Sequence, residues 1–288
     1  MVHKVDFFFE FVGSDKPMDP INWDAARTDQ NPGDPPQRPR YDAWCKACIA
    51  RKEARTLFAP QIYLNNTDVA ATVLTVSKGM LDQIAALNEG NRAWSNFGVV
   101  VLYGSSIGAA TALTLAAWLN DNTVRINYLC LSDLPLFQFG RDRELDKVGK
   151  LDTTFPDMGS GAGSPRVPFN WHFDWANNTQ PDSRDVPRTK LTSEMPFVRL
   201  KENRYQSLGN RVKGAVGLNK WIWSSAMKGE EIHGEITNDG WNNILDNNIS
   251  ISFAQHAIGN KDDEFHIAFN AKTLLDCDDK CRAELAKL

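Results

Sequence analysis

The sequence lacks any long run of hydrophobic residues. A helix that spans a membrane needs about 18 or more consecutive apolar residues, and no stretch of the chain approaches that length. Near the amino terminus, Asp6 and Glu10 interrupt the apolar residues at 5–12, so this stretch is unlike the hydrophobic part of a secretory signal peptide. We therefore expect no transmembrane segment and a chain that starts in the cytosol. Export by a route without a signal peptide, and transient contact with a membrane surface, remain open alternatives.

The sequence also lacks an excess of basic residues. Its 32 Lys and Arg residues are balanced by 36 Asp and Glu residues, which gives a net charge of -4. Proteins that bind nucleic acid without sequence preference are normally basic, so we expect no nucleic-acid partner. The hydrophobic fraction of 42% and the charged fraction of 24% exclude collagenous, coiled-coil and disordered chains. With no internal repeat, the 288 residues predict one domain.

The five cysteines leave three interpretations open. Cys45 and Cys48 are spaced as C-x-x-C, Cys277 and Cys281 as C-x-x-x-C, and Cys130 lies in an apolar run that predicts a buried thiol. The four paired cysteines could be reduced thiols, disulfides or the ligands of one zinc ion. Because the two pairs lie at opposite ends of the chain, the zinc site has the weakest support. We predict no metal and no cofactor.

Hydrophobic periodicity and turn residues predict alternating strands and helices in the first half of the chain. The predicted elements are a strand at 5–12, a loop at 15–40, a helix at 41–56, a helix at 66–88, a strand at 97–103, a helix at 107–119 and a strand at 124–131. Such alternation is typical of a parallel sheet with helices on both faces, so we predict an α/β fold. Residues 152–200, rich in Gly, Pro, Asp and Asn, predict a long irregular insertion, and 270–288 predict a helical tail.

The most informative stretch joins the strand at 97–103 to the helix at 107–119. Residues 104–108 read Gly-Ser-Ser-Ile-Gly, which fits the pattern G-x-S-x-G. The two glycines let strand and helix approach closely, and Ser106 then lies at a helix amino terminus, where the helix dipole and free N–H groups favour an oxyanion. We predict that Ser106 is a nucleophile. The same residues could instead form a plain connecting loop or a loop that binds phosphate.

A serine nucleophile needs a base, which His233 is best placed to supply. His233 lies in Glu-Glu-Ile-His-Gly-Glu-Ile at 230–236, a sequence that favours a turn able to present an imidazole over the sheet. His256 and His266 lie in stretches that resemble ordinary secondary structure, and His172 lies in the irregular insertion. These three are the alternatives.

The base in turn needs a carboxylate to orient it, and Asp133 is the candidate. Asp133 follows the strand at 124–131, and a carboxylate at the carboxyl end of a parallel strand faces the crevice where ligands bind. Because this strand follows the nucleophile helix directly, we expect it to neighbour the nucleophile strand. Asp174 and Asp185 are weaker alternatives, and Asp133 could also serve only as a turn residue.

Together, the Gly-Ser-Ser-Ile-Gly motif, Asp133 after the next strand and His233 in its His-Gly-Glu-Ile turn resemble the α/β-hydrolase superfamily, in particular its lipase and esterase branch. The resemblance covers residues 60–245. It implies a hydrolase-type, mostly parallel sheet and a nucleophile elbow at Ser106. Residues 152–200 could form a lid over an apolar acyl site or an ordered surface insertion with no gating role. Two features depart from the family: Ser105 replaces the usual His or Tyr before the nucleophile, and a His-Gly-Gly-Gly oxyanion loop is missing.

The oxyanion donors must therefore come from elsewhere. One is expected to be the backbone N–H of Ile107, directly after the nucleophile. The other is predicted in the turn after the strand at 5–12, at Gly13 or Ser14. This choice requires the first strand to lie beside the nucleophile strand.

The resemblance implies a serine hydrolase that cleaves carboxylic esters, including lipids and phospholipids, through an acyl-enzyme. Thioesters and peptides remain alternative substrates, because the same triad serves each reaction. A non-catalytic protein of the same fold that binds a lipid or a partner is the alternative from another class. An antibacterial lipase effector is a third hypothesis. Neither the acyl length nor the oligomeric state follows from the sequence.

Overall fold

The computed structural model describes residues 2–13, 20–30, 41–64, 69–105, 107–132, 195–206 and 247–251, and residues 274, 276–283, 285 and 287 near the carboxyl terminus. The strands are β1 (Lys4–Gly13), β2 (Arg27–Gln30), β3 (Arg55–Phe58), β4 (Gln61–Leu64), β5 (Phe97–Ser105), β6 (Tyr128–Ser132), β7 (Lys201–Gln206) and β8 (Asn247–Ile251). The helices are α1 (Trp23–Ala26), α2 (Asp42–Arg51), α3 (Val69–Leu87), α4 (Ile107–Asp121), a 3-10 turn (Trp94–Asn96) and a carboxyl-terminal helix at 276–283.

Within the described residues, the strands form one eight-stranded sheet in the order β2-β3-β1-β5-β6-β7-β8, with β4 also paired to β1. Every pairing is parallel except that of β2 with β3. The predicted α/β architecture, a mostly parallel sheet flanked by helices, is thereby confirmed.

The central strand β1 explains why the sheet is covered on both sides. Its side chains alternate between two faces, and Phe7, Phe8, Phe9 and Phe11 are at most 1% exposed. A strand buried on both faces is typical of a parallel sheet between two layers of helices. Aromatic stacking joins Phe9 to both Phe7 and Phe11, with ring centroids 5.7 Å apart in each case.

One face of the sheet packs against α3 and α4. We call it the apolar face; along β1, β5 and β6 it carries Phe7, Phe9, Phe11, Val100, Leu102, Leu129 and Leu131. The helical spacing predicted for α3 is confirmed, since Val73, Val76, Met80 and Ile84 all enter this core.

The other face packs against α2 and the carboxyl-terminal helix. We call it the polar face; strand alternation and register place Asp6, Glu10, Tyr103, Ser105, Tyr128, Cys130, Ser132, Glu202 and Arg204 on it. Its apolar contacts include Trp44 of α2 and Leu285 near the carboxyl end. Both layers of helices are therefore present, as the sequence predicts.

The segment 15–40 is not a simple loop. It contains α1, whose cap is the Asn22 side chain accepting from the Ala25 N–H at 3.0 Å, and the edge strand β2. Trp23 of α1 packs edge-on against Phe58, with centroids 5.6 Å apart. These short elements depend on contacts with residues distant in the chain, which the local proline-rich composition does not reveal.

The predicted helix at 41–56 is too long. Helix α2 ends at Arg51, and the next residue, Lys52, adopts the left-handed conformation with φ 55° and donates its N–H to the carbonyls of Cys48 and Ile49. The chain then enters β3, which pairs with β1 in parallel. Burial against β1 decides the strand conformation there.

Of the predicted insertion at 152–200, only residues 195–200 are described, so its lid role stays a prediction. Val198 forms an isolated bridge with Ile126, which anchors the chain just before β7. In the part of the chain that the structure describes, none of the helices is long and apolar enough to cross a membrane.

Candidate active site

Three strands end side by side at the carboxyl edge of the sheet. Val12 of β1 is paired with Ser105 of β5, and Ser105 is paired with Ser132 of β6. Two expected neighbours are confirmed: β1 lies beside β5, and β6, which precedes Asp133, lies on the other side of β5. The chain therefore leaves the sheet at neighbouring points before Ser106 and before Asp133.

The predicted triad itself, Ser106, Asp133 and His233, lies outside the described residues. So do Ser14 and the alternative acids and bases His172, His256, His266, Asp174 and Asp185. The two remaining candidates are described: Gly13 is the last residue of β1 and Ile107 is the first of α4.

The connection from β5 to α4 depends on two glycines. A Cβ atom on Gly104 would lie 2.6 Å from the carbonyl carbon of Gly108 and 2.7 Å from Cα of Ala109. A Cβ atom on Gly108 would lie 2.6 Å from the carbonyl carbon of Phe11. Because all these neighbours are backbone atoms, a larger residue at either position would force the chain apart. The two small residues that the motif supplies are required by close packing of β5, α4 and β1.

Helix α4 directs its amino terminus to the same edge. It runs from Ile107, immediately after the turn, along the apolar face, where Ala109, Ala112 and Ala116 are fully buried. The first N–H groups of a helix have no partner within the helix and carry partial positive charge. The turn before α4 is therefore suited to stabilise negative charge.

A buried group of hydroxyls lies at the carboxyl ends of β5 and β6. Tyr103 and Ser105 lie on the polar face of β5, and Ser105 is paired with Ser132 of β6. The three side chains are at most 3% exposed. Burial raises the pKa of Tyr103 well above its ordinary value, so this hydroxyl is neutral at physiological pH. Sequence reasoning missed this group, although its members are polar residues within apolar strands.

A second polar group on the same face ties the carboxyl-terminal helix to the sheet. The Tyr128 hydroxyl donates to Glu202 at 2.7 Å, Lys280 donates to the same carboxylate, and Arg204 donates to Asp276 at 2.8 Å. Burial alone would raise the pKa of Glu202, but the hydrogen bonds from Lys280 and Tyr128 outweigh it and lower the pKa. Glu202 is therefore an ionised, paired carboxylate and a poor general base.

A third polar group surrounds Asp6 in the first half of β1. The carboxylate accepts hydrogen bonds from Arg55, from the Trp44 indole at 2.8 Å and from the backbone N–H of Val99 at 2.5 Å. The register of β5 shifts here, so that Gly98 and Val99 both lie opposite Asp6. Asp6 satisfies the extra N–H of this bulge, which indicates a structural rather than a catalytic carboxylate. An acid in an otherwise apolar strand was the available signal.

The cysteines do not form a reactive or metal-binding centre in the described part of the chain. All five are buried and in the thiol form, which matches the thiol interpretation and the prediction for Cys130. Burial raises the pKa of Cys48 to about 12 and raises the pKa of Cys130 and Cys277 as well. Thiols are nucleophilic only when ionised. No group of three or more His, Cys, Asp or Glu side chains among the described residues could hold a metal ion.

No protein-family model matches the sequence, and no curated protein is similar to it. The chemistry of the site therefore has to be inferred from the strand register, the glycine contacts and the buried hydrogen bonds.

Proposed function

We propose that the chain is a serine hydrolase that cleaves carboxylic esters through an acyl-enzyme. Ser106 is the nucleophile, His233 the base and Asp133 the carboxylate that orients it. The close backbone packing of Gly104 against Gly108, and of Gly108 against Phe11, is the observation that supports this most strongly. A nucleophile elbow needs a serine in a tight turn between a strand and a helix, and small residues two positions away on either side permit that turn.

The strand register supports the choice of acid. Ser106 and Asp133 each follow a residue of the paired couple Ser105 and Ser132. Neighbouring strands lie about 4.8 Å apart, so both chain exits fall within the span of one imidazole and its two hydrogen bonds. His233 would lie between them, accepting the proton of Ser106 and donating to Asp133.

The order of the strands supports the choice of oxyanion donors. Because β1 is paired with β5 up to Val12 and Ser105, Gly13 ends beside the proposed nucleophile. The N–H of Ile107 and the N–H of Gly13 or Ser14 would hold the oxyanion. Two such donors stabilise the charge that develops in the transition state.

The proposed reaction has two steps. His233 removes the proton of Ser106, the serine attacks the ester carbonyl, and the alcohol leaves after taking that proton. His233 then activates a water molecule that releases the acid and regenerates the serine. We propose an ester or lipid as substrate, with residues 152–200 as a lid over its acyl chain.

A fluorophosphonate probe tests the proposal, because it reacts covalently with activated serines. The unaltered chain should be labelled, and peptide mapping should place the adduct on Ser106 rather than on the adjacent Ser105. Ser106→Ala should abolish labelling. Ser77→Ala is the matched control: this buried serine bonds to the Leu74 carbonyl within α3, away from the turn, and its loss should leave labelling unchanged.

Two outcomes contradict the proposal: an unaltered chain that resists the probe, and labelling that survives Ser106→Ala. Either would favour the non-catalytic alternative, a protein that binds a lipid or a partner. Circular dichroism of each variant confirms that the comparison is between folded chains.

A further inference from the structure

The carboxyl-terminal helix at 276–283, which we call the strap, is held to β7 by two residues of opposite charge. Asp276 accepts a hydrogen bond from Arg204 at 2.8 Å, and Lys280 donates to Glu202. The two strap residues are four positions apart and lie on one side of the helix, while the two strand residues alternate onto one face of the sheet. The strap is therefore attached to a single strand by two ion pairs.

The apolar side of the strap is small. Cys277, Cys281 and Leu285 recur at four-residue spacing and are at most 2% exposed, in one cluster with Tyr128 and Cys130 of β6. Two of these three anchors are thiols, which behave as small hydrophobic groups. Isolated helices shorter than about 12–15 residues are marginal in water. The strap therefore depends on docking, and the ion pairs contribute a large share of it.

The ion pairs are buried at the strand end and open to water at the strap end. The side chains of Glu202 and Arg204 are 1% and 5% exposed, whereas those of Lys280 and Asp276 are 39% and 47% exposed. When the strap leaves, water can hydrate both strand charges, so neither is left buried without a partner. Strand β7 keeps its backbone pairing with β6 and β8. Opening therefore costs the contacts of the strap but not those of the sheet.

Helix α2 covers a different part of the polar face. Its Trp44 indole donates to Asp6 of β1 at 2.8 Å, and Cys45 and Cys48 are buried in the same helix. In the sheet, β5 and β6 separate β1 from β7. The α2 thiols (Cys45 and Cys48) and the strap thiols (those at 277 and 281) therefore report on separate contacts.

We propose that the strap is a conformational device: it detaches from β6 and β7 as a unit while α2 and the sheet stay folded, and its two ion pairs set how often it opens. Segments with few buried apolar contacts open locally, at a lower cost than global unfolding. Opening exposes the strap thiols to solvent and leaves the α2 thiols covered. This inference does not depend on the proposed hydrolase chemistry.

The test is the rate at which N-ethylmaleimide alkylates each cysteine of the folded chain, followed by peptide mapping. A buried thiol reacts when its segment opens, so its rate follows the population of the open form. Each rate is divided by that of the same thiol in the urea-unfolded chain, which removes differences in intrinsic reactivity. In the unaltered chain, the strap thiols should react at least about 10-fold faster than the α2 thiols.

Lys280→Met tests the role of the ion pairs. It removes the charge and keeps an unbranched side chain, and it leaves Glu202 buried without its ammonium partner until the strap opens. Alkylation of the strap thiols should accelerate about 10- to 100-fold, the range for a hydrogen bond to a charged group. Lys46→Met is the matched control. Lys46 pairs with Asp42 within α2 and is 71% exposed, so its loss should leave the strap thiols unchanged.

Ile84→Val separates strap opening from global unfolding. Ile84 is fully buried in α3, on the apolar face, and its contacts persist when the strap opens. The variant should accelerate the α2 thiols about 2- to 10-fold, because they react through larger unfolding. The strap thiols should react at the unaltered rate. If the strap opened only when the whole chain unfolds, both pairs of thiols would accelerate together.

Asp276→Asn provides a second variant if Lys280→Met does not fold. Its carboxylate is half-exposed, so the strap thiols should accelerate less, about 2- to 5-fold. The inference is overturned by any of three results: equal corrected rates for both pairs of thiols in the unaltered chain, equal acceleration of both by Ile84→Val, or strap thiols that no folded ion-pair variant accelerates.

Discussion

The two faces of the sheet achieve burial in different ways. On the apolar face, β1, β5 and β6 present phenylalanine, valine and leucine to α3 and α4. On the polar face, the same strands present carboxylates, hydroxyls and a thiol, together with Phe8, Val99 and Val101, to α2 and the carboxyl-terminal helix. Hydrophobic burial is non-directional, whereas each buried polar group requires a partner at a defined distance and angle. The contrast separates what holds the sheet together from what fixes its geometry.

This difference has a consequence for the candidate site. Packing alone tolerates substitutions of similar volume and shape. Hydrogen-bonded groups do not, because removing one partner leaves the other buried without it. At the carboxyl ends of β5 and β6 both kinds of burial are found: Gly104 and Gly108 pack closely on the apolar side, and the hydroxyls of Tyr103, Ser105 and Ser132 are buried on the polar side.

The largest effect should come from an almost isosteric change on the polar face. Asp6→Asn removes the charge that faces Arg55, a side chain that is 8% exposed. Leaving that guanidinium without its main partner should lower the free energy of unfolding by about 3–5 kcal/mol, as measured by urea denaturation.

Leu102→Met is the matched change on the apolar face, since Leu102 is fully buried in a neighbouring strand. This change should lower the free energy of unfolding by less than about 1.5 kcal/mol. If Asp6→Asn and Leu102→Met lowered the free energy of unfolding equally, the polar face would be no more sensitive to substitution than the apolar face.

A smaller effect is expected at Glu202, and it should depend on pH. The pKa of Glu202 lies below its ordinary value of 4.5, so the folded state favours the ionised form. The stabilisation is fully present above about pH 4.5 and is lost as the pH falls through the lower, folded-state pKa. Glu202→Gln should lower the free energy of unfolding by about 2 kcal/mol at pH 7.

Urea denaturation of both chains between pH 7 and pH 3 measures this difference. Both chains contain the same other carboxylates, whose effects on the free energy of unfolding cancel in the comparison. The difference in the free energy of unfolding between the two chains should therefore narrow as the pH falls below 4.5. A gap that stays constant or widens would show that Glu202 is not held in its ionised form by Lys280 and Tyr128.

A substitution at the bulge of β5, Gly98→Ala, should lower the free energy of unfolding by a similar or slightly smaller amount. In Gly98→Ala, the new Cβ would lie 2.6 Å from Nη2 of Arg55 and 2.9 Å from Cγ of Asp6. The ion pair must move, which should lower the free energy of unfolding by about 1–3 kcal/mol. In the Asp6→Asn background, the same change should cost less, because the ion pair is already broken. Additive losses would contradict this coupling.

The smallest expected signal concerns the thiols. A pKa of about 12 at Cys48 leaves about a thousandfold less thiolate than in an exposed cysteine. The folded chain should therefore react very slowly with N-ethylmaleimide. After unfolding in urea without reductant, mass spectrometry should count five adducts, one for each cysteine. Three or one would instead indicate disulfides.

Several elements could be predicted because their signals are local. The repeat of Val73, Val76, Met80 and Ile84 at helical spacing identifies α3, and the apolar run before Gly104 identifies β5. Both patterns are set by which side chains must face a core, and this requirement is visible along a few turns or residues.

The short elements could not be predicted. Strands β2 and β3 have only four residues each, and Arg27–Gln30 carries polar residues that favour a loop. Their pairing supplies the backbone hydrogen bonds and burial that their own sequences do not demand. Elements this short depend on their neighbours, so local propensity is a weak guide to them.

By itself, the sequence determined the fold class, the position of α3, β5 and α4, and the need for glycine at 104 and 108, because periodicity and backbone sterics act over short separations. Only the tertiary structure decided which strands are neighbours and which polar groups meet. Glu202 and Lys280 are 78 residues apart, and Ser105 lies beside Ser132 only because β5 and β6 pair in a particular register. Such pairings arise from the docking of whole elements, which no local pattern encodes.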